Sequence, residues 1–181
     1  MGINKKSATL WYAMRITYCR EMILKKYLDE IGVKCFVPMR REDVPNSSIS
    51  NQKRIVPAIH NLIFIHSTRE IIDDIRMNKF TKFPIKYMID KFTNLPLIIP
   101  ENQMQQFITI NSAKNEEVIT VPLDLIRLRK GMKVRVLSGY FKGLEGWYMR
   151  VAGDRRVVVV IDNLMAMGTT FIHPKLLEKI E

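Results

Sequence analysis

The chain has 181 residues, of which 47% are hydrophobic and 26% are charged. This length fits one large domain or two small ones, and this composition excludes disorder for most of the chain. The formal net charge of +11 favours a polyanionic partner, nucleic acid above all, although charge carries no information about the fold.

The two cysteines, Cys19 and Cys35, lack the repeated pair pattern of a disulfide framework or a four-ligand zinc site. We therefore expect two buried free thiols, with no metal and no other cofactor. No run of residues approaches the roughly twenty apolar residues that a membrane span requires, and the start of the chain lacks a secretory cleavage site. We expect a monomeric, cytoplasmic protein without membrane contact.

The first forty residues alternate between strand and helix patterns. The aromatic and apolar run over residues 10–16 predicts a first strand. Apolar positions recur at helical spacing over residues 20–31, and Gly32 is a suitable stop, which predicts a helix. Residues 33–38 predict a second strand, so the chain opens with a β-α-β unit.

A polar segment over residues 40–53 has the composition of a solvent-exposed loop and predicts the tip of a hairpin. Apolar periodicity then predicts a third strand, a second helix, a fourth strand and a third helix over residues 62–65, 68–80, 83–88 and 101–110. The order β-α-β-β-α-β-α indicates an α+β domain with an antiparallel sheet of ferredoxin-like type.

The segment over residues 112–123 has no clear periodicity and includes Pro122, so we predict a linker there. The predicted parts of the chain are a tail, a first domain, the linker and a second domain over residues 1–9, 10–111, 112–123 and 124–181.

The second domain is organised around residues 130–151. Apolar residues alternate with basic ones as far as a glycine-rich corner, and a second apolar run begins at Trp147, which predicts a hairpin. The glycines of this corner suit positions that need positive φ or close approach of another backbone: Gly139, Gly143 and Gly146. The β-branched run over residues 155–161 favours strand over helix. Together these patterns predict a small β-barrel.

Two segments resemble domains of one known family. Residues 131–146 resemble a KOW motif, with an opening glycine, alternating basic and apolar residues, and a G-x-F-x-G-x-x-G run. Residues 11–38 resemble the N-terminal domain (NGN) of NusG-type transcription elongation factors. The Cys-Phe-Val-Pro-Met run over residues 35–39 and the segment from Pro96 to Pro100 are similar to the specialised paralogues RfaH and UpxY. The resemblance implies an NGN domain followed by an SH3-like KOW barrel.

Two turns depart from the family pattern. Residues 59–62 replace a phenylalanine-proline-glycine-tyrosine turn, and Tyr140 replaces a proline. Asn61 tolerates positive φ, so we expect the first turn to keep its geometry.

The resemblance implies a transcription elongation or antitermination factor that binds the clamp helices of bacterial RNA polymerase and suppresses pausing or termination. It also implies action on particular operons, such as capsule or other surface-polysaccharide loci. Such binding requires an exposed apolar patch. The candidates are Trp11, Tyr12, Leu62, Phe64 and Phe83. The alternative is that several are core residues, because strand alternation turns about half of them inward; we favour Trp11 and Leu62.

Basic residues suggest two nucleic-acid contacts. Those flanking the polar loop suit phosphate contacts with non-template DNA or nascent RNA, without reading of bases: Arg40, Arg41, Lys53 and Arg54. The alternative is a solvated loop. Charged and aromatic residues of the second domain suit RNA, a ribosomal protein or another factor: Lys133, Arg135, Tyr140, Phe141 and Lys142.

Two other classes of protein compete with this interpretation. An enzyme is disfavoured because His60, His66 and His173 lack metal-ligand spacing and no phosphate loop, nucleophile elbow or dinucleotide motif occurs. A ribosome-associated or RNA-binding KOW protein is the second alternative, and the missing aromatic RNP-type runs argue against it.

Overall fold

In a computed structural model, the chain is described over residues 8–44, 53–78, 82–113, 118–128, 131–161 and 164–180. The residues form two compact units, Met1–Glu101 and Asn102–Glu181. Among the described helices, none has the length and apolar character needed to cross a membrane.

The first unit is built on an antiparallel sheet. Its strands are β1 (Leu10–Ile16), β2 (Lys34–Phe36), β3 (Met39–Asp43), β4 (Lys53–Pro57), β5 (Leu62–Ser67), β6 (Ile85–Tyr87) and β7 (Ile98–Ile99), and its helices are α1 (Glu21–Glu30) and α2 (Arg69–Asn78). The main sheet has the order β2-β5-β1-β6, with β7 also paired to β1. Strands β3 and β4 form a separate two-stranded ribbon. This order confirms the predicted α+β class, and it is the order of a ferredoxin-like sheet.

The main sheet is apolar on both faces. Tyr12, Met14 and Ile16 point to one face, where they join a core with residues of both helices: Leu24, Leu28, Ile72 and Ile75. Trp11 and Ala13 alternate with them in β1 and are equally buried on the other face. Full burial of one such large apolar side chain stabilises the fold by about 1.5–3 kcal/mol.

The turn before β5 depends on Asn61. Its φ of 65° confirms the predicted left-handed conformation. The Ile16 N–H donates to the Asn61 carbonyl at 3.0 Å, and the Cys19 N–H donates to the Asn61 side-chain oxygen at 2.9 Å. Cys19 is exposed and Cys35 is half-buried, both as free thiols, so the predicted burial is wrong for Cys19.

The second unit is rich in strands. Its helices are α3 (Glu101–Asn111), which begins at the division, and α4 (Leu123–Leu128), and its strands are β8 (Ile119–Val121), β9 (Met132–Val136), β10 (Glu145–Val151), β11 (Asp154–Ile161), β12 (Met165–Phe171) and β13 (Leu177–Lys179). They form one antiparallel sheet of order β13-β9-β10-β11-β12-β8. The predicted strands are present, and closure of this sheet into an SH3-like barrel stays a prediction.

The segment predicted as a linker contributes a strand. Val121 of β8 pairs with Ala166 of β12 and is buried. The prediction of a linker is therefore wrong for Ile119–Val121, because three residues are too few to show a periodicity. The division between the units also assigns most of α3 to the second unit, whereas we predicted it at the end of the first domain.

The glycine-rich corner takes the predicted form. Gly139 and Gly143 have φ of +83° and +84°, a region that a side chain disfavours. Gly146 lies so close to β11 that an added Cβ would stand 2.5 Å from the Val158 carbonyl oxygen and 2.9 Å from Val157 Cγ1. Both predicted reasons for glycine therefore apply in this corner: positive φ at Gly139 and Gly143, and close approach of another backbone at Gly146.

Candidate functional surfaces

The predicted polymerase-contact residues are buried. Each has an exposed fraction of at most 5%: Trp11, Tyr12, Leu62, Phe64 and Phe83. The prediction of an exposed apolar patch at these positions is therefore wrong. The physical reason is that both faces of the sheet are covered: Tyr12 and Phe83 belong to the core with the helices, and Phe64 lies opposite Ala13 on the other face.

The face that carries Trp11 is an aromatic layer with a polar margin. The Trp11 ring stacks on His66 with centroids 4.9 Å apart, and Lys34 Nζ stands 5.2 Å from the Trp11 centroid. Phe36 and Phe64 continue the layer across β2 and β5, with centroids 6.5 Å apart. These contacts give the layer a packing role inside the fold.

A different apolar surface is exposed, on the connection between β6 and β7. In this β6–β7 hairpin, residues 88–97, Phe92 has an exposed fraction of 86% and Leu95 one of 62%. An isolated β-bridge between Ile89 and Pro96 joins its two arms. Exposed apolar groups on a defined backbone are typical of a protein-binding surface.

Asp90 holds the tip of this hairpin in shape. Its Oδ1 accepts hydrogen bonds from the Phe92 N–H at 2.8 Å and the Thr93 N–H at 2.9 Å. These backbone donors, Thr93 first and then Phe92, hold the pKa of the Asp90 carboxyl below its usual value. The tip is thus an Asx-type turn that presents the Phe92 ring to solvent.

The hairpin is attached to the central strand of the sheet. The Met88 N–H donates to the Ala13 carbonyl at 2.9 Å, and the Ala13 N–H donates to the Leu97 carbonyl at 3.1 Å. In the sequence, only the turn-forming residues Asn94 and Pro96 indicate this surface. The neighbouring apolar residues Phe92 and Leu95 fit neither helix nor strand periodicity.

The β3–β4 ribbon brings four predicted phosphate-contact residues together, and all four are exposed: Arg40, Arg41, Lys53 and Arg54. The predicted tip of this hairpin, residues 45–52, lies outside the described residues. Strand alternation divides the set between the two faces of the ribbon. Arg40 and Arg54 share one face with Glu42, and Arg41 and Lys53 share the other.

Glu42 neutralises part of the ribbon's charge. Its Oε1 accepts a hydrogen bond from Arg40 Nη2 at 2.9 Å, and its Oε2 accepts one from Arg54 Nη2 at 2.9 Å. The Arg54 hydrogen bond above all, with the two neighbouring positive charges, holds the pKa of the Glu42 carboxyl below its usual value. This face therefore carries a net charge of about one rather than two.

In the glycine-rich corner of the second unit, the side chains of Tyr140 and Lys142 are exposed, whereas that of Phe141 is buried. The prediction that Phe141 contacts a partner is wrong as regards exposure, because the Gly143 N–H donates to the Val136 carbonyl at 2.8 Å and turns the intervening Phe141 inward. Its ring packs edge-on against Tyr140, with centroids 5.2 Å apart.

Lys133 and Arg135 lie on β9 in different surroundings. Arg135 Nη2 stands 2.7 Å from Glu145 Oε1, and Arg135 Nη1 stands 3.5 Å from Glu178 Oε2. The hydrogen bond with Glu145 raises the pKa of the Arg135 guanidinium.

Lys133 is half-buried and lies across from Trp147 on the neighbouring strand. Trp147 is an exposed aromatic residue that the sequence analysis did not assign to a site. Trp147 thus lies beside residues of the predicted partner surface.

These features define an α+β binding module with a basic ribbon and an exposed apolar hairpin, followed by a strand-rich second unit. A family model described as transcription termination factor NusG matches residues 9–108, more than half of the chain. The chain therefore belongs to the NusG family. Members of this family are non-enzymatic transcription elongation and termination factors, and they generally bind RNA polymerase. No curated protein matches the chain.

Proposed function

We propose that this NusG-family protein binds the clamp helices of bacterial RNA polymerase and suppresses pausing or termination on particular operons, such as surface-polysaccharide loci. The observation that carries the proposal is the exposed β6–β7 hairpin within the part of the chain that matches the family. The likeness of residues 35–39 and of the Pro96–Pro100 segment to RfaH and UpxY supports the specialised role.

The hairpin supplies the apolar contact that such binding requires. Phe92 and Leu95 are held out by a backbone that Asp90 and β1 fix, so little conformational entropy is lost when a partner covers them. Burial of the two side chains contributes about 1.5–3 kcal/mol each. Removal of both should weaken polymerase binding by tenfold or more.

The five buried residues keep a role in this proposal as supports. Trp11 and Tyr12 directly precede Ala13, whose backbone is hydrogen-bonded to the hairpin, and Phe64 lies opposite Ala13 in β5. Leu62 and Phe83 complete the core around β1 and β5. Their substitution would weaken polymerase binding through loss of the fold rather than loss of a contact.

The test is retention of the full chain on immobilised RNA polymerase. We expect the double variant Phe92→Ser/Leu95→Ser to lose at least tenfold in affinity with an unchanged melting temperature. The matched control is Ile23→Ser/Met77→Ser, which removes two exposed apolar side chains outside the hairpin and should bind as the wild type does.

Equal retention of the hairpin variant and the control would overturn the proposed surface. Retention on ribosomal subunits but not on polymerase would instead favour the ribosome-associated class. Transcription through a terminator in vitro, with and without the protein, tests the suppression of termination.

The ribbon adds a nucleic-acid contact to the proposal. Arg40, Arg41, Lys53 and Arg54 would bind phosphates of the non-template strand or the nascent RNA, without reading bases. In the second unit, we propose a KOW barrel that binds RNA, a ribosomal protein or another factor through Lys133, Arg135, Tyr140, Lys142 and Trp147, with Phe141 as a support.

A further inference from the structure

A thiol, a carboxylate and an imidazole meet where α1 begins. The potential ligand atoms of Cys19, Glu21 and His60 all lie within 4.8 Å of one another. His60 Nδ1 stands 3.7 Å from Glu21 Oε1, which is too far for a hydrogen bond. Two nitrogen or oxygen ligands of a tetrahedral zinc ion, bound at about 2.0–2.2 Å, stand about 3.3–3.6 Å apart. The imidazole and the carboxylate therefore have nearly the separation that a shared ion imposes.

Glu21 gives a second, independent reason to expect that this cluster binds a cation. Its side chain has an exposed fraction of 1%, and its Oε2 is buried without a hydrogen-bond partner among the described residues. An ionised carboxylate that is buried without a partner is strongly disfavoured. The first turn of α1 offsets part of this cost through the helix dipole, but it leaves Oε2 without a donor. A metal ion bound through Oε2, alone or together with Oε1, would satisfy this oxygen.

The chain holds the three residues together at a conformational cost. Tyr18 and Cys19 have φ of 63° and 50°, so two successive residues with side chains adopt the left-handed region. The hydrogen bond from the Cys19 N–H to Asn61 Oδ1 ties this turn to the residue that follows His60. The tie is what brings Cys19 beside a histidine that is distant in sequence.

We propose that Cys19 Sγ, a carboxylate oxygen of Glu21 and His60 Nδ1 bind one Zn²⁺ ion. Thiolate and imidazole ligands select zinc over magnesium or calcium, and three protein ligands leave a fourth position for water or for a group of a partner. Binding replaces the proton of the Cys19 thiol with the metal and releases that proton to solvent. Cys19 and His60 are exposed, so an ion reaches the site directly.

The test is titration of the metal-free full chain with Co²⁺ as a spectroscopic probe, followed by Zn²⁺. We expect one cobalt ion per chain, a thiolate-to-cobalt charge-transfer band, and displacement of cobalt by one equivalent of zinc. Cys19→Ser should remove the band and weaken binding at least tenfold. His60→Asn should weaken binding similarly but keep the band.

The matched controls are Cys35→Ser and His66→Asn, which remove the same ligand types outside the cluster and should bind metal as the wild type does. Glu21→Gln keeps the shape of the buried side chain without its charge. We expect it to raise the melting temperature of the metal-free protein and to abolish the further rise that zinc causes. No stoichiometric binding, or equal loss in the Cys35→Ser variant, would overturn the proposal.

Discussion

Arg54 donates two hydrogen bonds to a single carboxylate oxygen of Glu42, from Nε at 3.1 Å and from Nη2 at 2.9 Å. Because the same carboxylate binds Arg40, we expect Glu42→Gln to strengthen nucleic-acid binding by the ribbon. The slope of log K against log salt concentration should become steeper by up to about one. Fluorescence anisotropy with single-stranded DNA at several salt concentrations measures both quantities.

Glu30→Gln is the control, because it removes the same charge from an exposed position on α1. Equal gains in the two variants would contradict a local effect. The pKa of Glu42 is lowered, so its carboxylate stays charged at neutral pH and is protonated only as the pH falls through that lowered pKa. The advantage of Glu42→Gln should therefore be full at neutral pH and vanish in acid.

Gly146→Ala should destabilise the second unit. An added Cβ would meet the Val158 carbonyl oxygen at 2.5 Å, and backbone on a neighbouring strand moves only at a cost. We expect a loss of about 1–3 kcal/mol in the free energy of unfolding, measured in urea by circular dichroism. Gly143→Ala adds a Cβ in open space and meets only the cost of positive φ. A milder effect of Gly146→Ala than of Gly143→Ala would refute the packing argument.

Ala152→Asn should stabilise the hairpin between β10 and β11. Ala152 and Gly153 form its two-residue loop with φ of 52° and 91°, the signs of a type I′ turn. Asparagine tolerates this conformation better than alanine, so we expect a gain of about 0.5–1 kcal/mol. Ala152→Val should have the opposite sign, because a β-branched residue is strained there. Melting temperatures of the two variants give the comparison.

The two thiols should differ in reactivity. Burial raises the pKa of Cys35 to about 11, so its thiolate is scarce at pH 8, whereas Cys19 is exposed. Ellman's reagent at pH 8 should react quickly with one thiol of the native, metal-free chain. Cys19→Ser should abolish this fast phase, and Cys35→Ser should leave it unchanged. The rate at Cys35 should rise only as the pH approaches 11; a fast phase lost in Cys35→Ser would reverse the assignment.

Strand β1 shows how far the sequence alone predicts the fold. Its aromatic and apolar run gave the strand with the bounds that the structure has, Leu10–Ile16, because strand propensity is local. The burial of Trp11 was not predicted. A strand that is apolar on both faces can be covered on each face by other parts of the same chain or by a partner protein, and the strand pattern does not distinguish the two cases. The residues that cover β1 come from distant parts of the chain, and the local sequence pattern does not show which of them pack on it.

The candidate surfaces divide in the same way. The basic ribbon was predictable, because Arg41 and Arg54 flank a segment of polar composition between two runs with strand character. The proximity of Cys19 to His60 was not predictable, because it depends on a hydrogen bond between the turn after β1 and Asn61 in the turn before β5. The exposure of Phe92 was not predicted for another reason. It follows from a single turn that the Asp90 side chain stabilises, and hydrophobic periodicity predicts helices and strands but not single turns.

The separation of the β3–β4 ribbon from the main sheet has a consequence for how the protein can vary. Among the described residues, the ribbon forms its own two-stranded sheet, and a hydrogen bond from the Ala58 N–H to the Pro38 carbonyl, 2.7 Å long, closes its base. Residues can therefore be added to both strands without breaking the ladder of the main sheet. Each residue extends a strand by about 3.3 Å, so two added residues in each strand would lengthen the ribbon by about 7 Å. The length of the ribbon thus sets the reach of its positive charge independently of the domain that carries it.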